Sequence, residues 1–249
     1  MINKKSNQKN HIFNDEYHHN EKDPHKEGWN LSEIILGGQD GLVNVLGVIL
    51  GVAAATNDVR VVMVAGLAAT FAESISMGAV AYTSTLAEAD FYESEREREY
   101  RHIQKVPNLE REEIREIYQG KGFHGELLEK VVDTITANED IWVAVMMAEE
   151  HKLTPADRGS AFKTAIVVGI SAIIGSIIPL IPFLFLPIGW SMIASVVLTA
   201  SVLFMVGAYK AHVTVGKPAR SGLEIALIGT ISALAGYAVG ALLKVPATP

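Results

Sequence analysis

Five stretches of this chain, near residues 34–56, 61–86, 161–182, 187–209 and 221–243, are mostly apolar and long enough to cross a membrane. A helix needs about 20 such residues to span a hydrocarbon layer of roughly 30 Å. Charge is concentrated elsewhere, above all between Ala87 and Arg158, where most of the carboxylates lie. The expected fold is all-α and polytopic. Residues 31–86 hold transmembrane helices 1 and 2, 87–158 a cytoplasmic three-helix insert, and 159–249 helices 3 to 5. Residues 1–30 are polar and lack the apolar core of a cleaved signal peptide, which reads as a disordered tail. Its histidines, His11, His18, His19 and His25, are open to weak metal binding or to no role beyond solvation.

Lysines and arginines set the expected orientation. With the N-terminus in the cytoplasm, the insert and the loop bearing Lys210, Lys217 and Arg220 face the same side, leaving only Arg60 and Lys244 across the membrane. The chain has no cysteine, so disulfides and thiolate metal sites are excluded, and any metal must be held by oxygen, nitrogen or thioether donors. At a net charge of -7 no nucleic-acid partner is expected.

The first span, containing "GGQDGLVNVLGVILGVAAAT", carries Asp40 and Asn44 where an anchor would carry leucine. At 100° per residue Asp40, Asn44, Gly47 and Gly51 share one face. Gly37 and Gly41, and again Gly47 and Gly51, have the spacing that lets another helix backbone come close, so the stripe is open to a pure packing role. An aspartate within a span costs roughly 2.5–3.5 kcal/mol on insertion scales, which favours a cavity or ion path beside Asp40. In the second span Gly66, Thr70, Glu73 and Met77 share a face, placing a second carboxylate and a thioether one turn apart.

Ala79 to Val106 contains neither glycine nor proline, so the second span should continue unbroken into the insert. On it Met77, Ser84, Glu88, Glu95, Glu99 and His102 fall with Glu73 in an arc of roughly 80°. Arg96, Arg98 and Arg101 leave a solvated, ion-paired helix open as the alternative for Glu88 and Glu95. Glu99 and His102 have the ExxH spacing of a carboxylate and imidazole on one face. Pro107 ends that helix, and a second one comes after it with Asn108 as expected N-cap, Gly120 as terminator, and Glu110 and Glu113 at i, i+3. A third is expected across "HGELLEKVVDTITANEDIWVAVMMAEEHKL", with Met146 and Glu150 as i, i+4 neighbours. Carboxylates joined by imidazole and thioether favour a first-row ion such as Fe²⁺, Mn²⁺ or Co²⁺ over magnesium or calcium.

Taken in order, "DGLVNVLGVILG", "SISMGAVAYTSTLAEADFYESEREREY", the acidic insert, "GSIIPLIPF" and "KPARSGLEIALIG" resemble the vacuolar iron transporter family of plants and fungi, with its prokaryotic relatives. The resemblance covers nearly all the chain after residue 30. It implies a five-span homodimer that exports cytoplasmic Fe²⁺, and often Mn²⁺ or Co²⁺, in exchange for protons. The ion is substrate, H⁺ is counter-ion, and no prosthetic group is involved. By the same resemblance Asp40 and Met77 line a path at a dimer interface formed by first and second spans. Glu99, Glu110, Glu113, Met146 and Glu150 collect metal in the insert.

Two positions depart from the family pattern: His102 stands where a second glutamate is usual, and the membrane carboxylate expected one turn before Glu73 falls on Ala69. The expected function is a secondary transporter rather than an enzyme. A tethered di-iron oxidase would need a second ExxH, which the insert lacks, and a metal sensor or scaffold has no use for acids inside its spans. The membrane would be vacuolar in a plant or fungus and the plasma membrane in a prokaryote; the compact chain, with no recognisable sorting segment, points to the latter.

Overall fold

The computed structural model describes residues 29–243, so the histidines of the tail and Lys244 lie outside the described residues. Among them the chain is all-helical, and five helices are long and apolar enough to cross a membrane. These are α1 (Trp29–Thr56), α2 (Val59–Lys105), α6 (Ala161–Ile177, extended by tighter 3-10 turns at Arg158–Ser160 and Ile178–Leu184), α7 (Ile188–Val213) and α8 (Pro218–Leu242). Between α2 and α6 lie α3 (Pro107–Gly120), α4 (Gly125–Thr136) and α5 (Glu139–Glu149).

Helix α1 packs against α2, α6, α7 and α8. Its glycines make this possible. Gly37 and Gly41 lie so close to the α6 backbone at Val168 and Ala172 that a Cβ on either would collide with a carbonyl. Against α8 the collision comes from the other side: a Cβ on Gly236 or Gly240 would run into the backbone carbonyl of Gly47 or Gly51. The close approach allowed by the glycine spacing is thus filled by helices of the same chain. Leu46, Ile49, Val62, Leu180 and Phe183 complete the apolar centre.

Asn57, with φ of 52°, turns the chain between α1 and α2, and the Asp58 carboxylate caps α2 by accepting from the backbone N–H groups of Arg60 and Val61. Beyond Gly78 neither glycine nor proline interrupts the helix, and α2 runs for 47 residues. At 1.5 Å per residue it is about 70 Å long, over twice the hydrocarbon thickness, so it must project well beyond the membrane. At the other end of the bundle Pro179 and Pro182 tighten the chain after α6, and Ser195 and Ser191 of α7 donate to their carbonyl oxygens at 2.7 and 3.2 Å.

The insert has its own core, in which Ile103 of α2 meets Ile114, Val132, Trp142, Val143 and Met146. Two expectations about its helices are corrected. Helix α3 begins at Pro107 rather than after an Asn108 cap, because proline, lacking an N–H, suits the first helical position. Val106 takes the cap position, and its carbonyl accepts from Leu109 and Glu110. The expected third helix is two, α4 and α5. Asn138 leaves helical geometry, and its side chain accepts from the backbone N–H of Ile141 to start α5 afresh.

Candidate metal sites in the insert and between the first two spans

The projecting end of α2 carries Glu99, which is only 2 % exposed. Facing it, α3 supplies Glu110, at 3 % exposure, and Glu113 one turn on. Beyond the end of α5 the chain bends, and the N–H groups of Glu150 and His151 both donate to the Met146 carbonyl, at 3.0 and 3.2 Å. These elements enclose a cavity of about 280 Å³ lined by Glu99, His102, Glu110, Glu113, Glu150 and His151. One oxygen of Glu99 has no hydrogen-bond partner although it is fully buried. A buried carboxylate oxygen left without a partner is costly and points to a cation or a proton as its missing partner.

Crowding sets the electrostatics. Burial, then the neighbouring Glu99 and Glu113 carboxylates, push the Glu110 carboxyl up to about 8. The Glu150 carboxyl is raised too, by partial desolvation and then by Glu113, with His151 acting against the shift. His102 Nδ1 lies 3.5 Å from Glu110 Oε1. Such a nest of acids is poorly stable as a set of anions, and a divalent ion would neutralise it.

Of the residues expected to bind metal, Glu99, His102, Glu110, Glu113 and Glu150 come together here. Met146 is wholly buried in the insert core and is not among the cavity-lining side chains. Glu95 pairs with Arg98 one turn away, Glu88 is exposed, and neither reaches the cavity. His151 was not among the expected ligands. It comes after the last turn of α5, so no helical spacing ties it to Glu99 on another element.

In the membrane layer, Asp40 and Asn44 line a second cavity of about 460 Å³, closed on one side by Ile228 and Ser232 of α8. From α2, Glu73 meets this group: the Asn44 amide donates to its Oε1 at 2.9 Å, and Asp40 lies within reach of both. Met77 is half-buried one turn further along α2, while Ala69 packs against the apolar centre. Glu73 is thus the second carboxylate of this cluster, beside Asp40.

Two acid-lined sites lie on one helix, one among the spans and one in the insert. Residues 31–241 match the sequence model of the VIT family, covering all but the ends of the described chain. The chain belongs to the VIT family. Its VIT-family relatives include "Vacuolar iron transporter 1" of Eucalyptus grandis, 34% identical over 221 residues, which are 86% of this chain and 89% of the relative. The protein of the same name from Arabidopsis thaliana is 33% identical over 228 residues, 91% of each chain. "Vacuolar iron transporter" of Plasmodium falciparum (isolate 3D7) is 30% identical over 244 residues, 92% of this VIT-family chain and 89% of that one.

Proposed function

We propose that this protein is a membrane transporter that exports Fe²⁺ from the cytoplasm, with Mn²⁺ and Co²⁺ as further substrates, in exchange for protons. One observation carries the reading: α2 bears Glu73 in its apolar half and, in its projecting half, the buried Glu99 with one oxygen unpartnered, so a single element joins two acid-lined sites. The names of the relatives, each an iron transporter, support it.

In this scheme the insert faces the cytoplasm and gathers the ion with Glu99, Glu110, Glu113, Glu150 and His102. Met146 holds the turn that presents Glu150, and its sulfur joins the ligands only after a shift of α5. Glu88 and Glu95 guide the ion along α2 to Asp40, Asn44, Glu73 and Met77. Protonation of Asp40 or Glu73 from the far side releases it, since a carboxylate binds either a metal or a proton at mildly acidic pH. The N-terminus lies with the insert and the C-terminus opposite, as the basic residues suggest. A homodimer formed through α1 and α2 would cover the exposed side of the Asn44–Glu73 contact. The membrane is vacuolar in a plant or fungal cell and the plasma membrane in a prokaryote.

The test is Fe²⁺ uptake into proteoliposomes, with and without an acidic lumen, for the wild type and Asp40→Asn. Gradient-dependent uptake that the substitution abolishes is the expected result. Tight binding without uptake under any gradient would turn the reading toward a sensor or scaffold, and unchanged uptake by the variant would remove Asp40 from the path.

A further inference from the structure

We infer that His151 is a nitrogen ligand of the insert cavity, and that it makes this site discriminate in favour of Co²⁺ over Mn²⁺. The inference rests on the reading of the insert as a metal-gathering site. It adds a donor from outside the helices and a direction of selectivity.

Three observations lead there. Ligand atoms of Glu99, Glu150 and His151 all lie within 4.8 Å of one another, a spacing that small side-chain rotations would close onto an ion ~2.1 Å from each. Within the group, His151 Nε2 sits 3.1 Å from Glu99 Oε2, while the other Glu99 oxygen is buried without a partner. The backbone is committed to holding the ring there. Lys152 takes a left-handed φ of 55°, unusual for a lysine, and Leu153 then bonds back to the Met147 carbonyl at 2.9 Å. The chain thus reverses directly after His151, which keeps the imidazole against the carboxylates.

The donor set then determines the preference. With Met146 turned into the core, the cavity offers carboxylate oxygens and two imidazoles, His102 and His151. Imidazole suits the later first-row ions, whereas Mn²⁺ and Mg²⁺ are served as well by oxygen. In the metal-free contact Nε2–H donates to Glu99, and to ligate an ion the neutral ring would carry its proton on Nδ1 and turn the Nε2 lone pair to the metal. A purely orienting histidine, hydrogen-bonded to Glu99 and never touching the ion, would instead support all metals alike.

The experiment compares Co²⁺ and Mn²⁺ binding by calorimetry on the full-length protein in detergent, with the visible absorption of Co²⁺ as a second readout. Glu99→Gln defines the part of the signal that belongs to the insert. Two variants are used: His151→Ala, and His151→Gln, which keeps a donor for Glu99 without an imidazole. The expected result is a loss of Co²⁺ affinity of at least about tenfold, as for loss of a group that holds a metal site together, with Mn²⁺ affinity changed less than about threefold. The Co²⁺ spectrum should shift as well. Equal losses for both ions would make His151 an orienting residue and overturn the inference, as would unchanged binding. If His151→Ala does not fold, His151→Gln decides. Absence of any Glu99-dependent binding in the wild type would instead sink the metal-gathering reading itself.

Discussion

Asn44 of α1 donates to Glu73 of α2 at 2.9 Å, a hydrogen bond that ties together the polar stripes of the first two spans. Asn44→Leu leaves Glu73 without that donor. Thermal unfolding in detergent should show a loss of about 0.6–1.7 kcal/mol, the range for polar contacts between spans, and metal uptake should fall while binding by the insert is retained. Uptake at the wild-type rate would separate this contact from transport.

The raised Glu110 carboxyl sets a pH dependence. Folded, it keeps its proton up to about 8, whereas the unfolded chain releases it near the ordinary 4.5. Between those values the native state binds more protons, so the contribution of Glu110 to the stability of the metal-free insert is fully present below the lower one and is lost as pH rises through the upper one. Metal affinity should move the other way, because the ion must displace the proton. Glu99, Glu113 and His102 are the groups facing Glu110, and Glu110→Gln should flatten the stability profile. Melting curves of the apo protein at pH 5 and pH 8 decide the matter; a higher midpoint at pH 8 contradicts this account.

Glycines at two places should respond oppositely to alanine. A methyl on Gly236 runs into the Gly47 backbone of α1, so Gly236→Ala should cost about 1–3 kcal/mol by forcing α1 and α8 apart. Gly120, at the end of α3, has open space around its missing Cβ, and Gly120→Ala should stabilise the insert by about 0.5–1 kcal/mol. Paired unfolding measurements in the same detergent test both signs.

The two ends of α5 offer a further contrast. Asn138→Ala removes the side chain that accepts from Ile141, with an expected loss of about 1 kcal/mol. Lys152→Gly relieves a left-handed residue and should gain about 1 kcal/mol, yet it loosens the turn that holds His151, so Co²⁺ binding should weaken even as the melting temperature rises. A gain in both would show that the turn geometry does not matter for metal.

Much of this was readable from local rules. The unbroken α2 comes from the absence of breakers between Ala79 and Val106, and Glu99, His102, Glu110 and Glu113 were legible because helical spacing governs each of them. The spacing argument failed where helices end. Met146 and Glu150 are four apart, but α5 stops at Glu149; Glu150 bends toward the cavity while Met146 stays in the core. His151 belongs to that same bend, beyond the reach of any periodic pattern. The break at Asn138 was hidden because apolar positions continue on both sides of it, and only the side-chain bond to Ile141 reveals a new start.

The unbroken course of α2 is also a ruler. Glu73 and Glu99 are 26 positions apart on one continuous helix, which puts them about 39 Å from each other. In physiological salt the Debye length is only about 8 Å, so the charge state of one acid is screened from the other where water lies between. An ion in the insert would therefore be largely screened from one among the spans. Under the proposed transport scheme, coupling between the two sites would have to be conveyed by tilting of the rod or by diffusion along it, and substitutions at Glu73 and Glu99 should combine additively in binding.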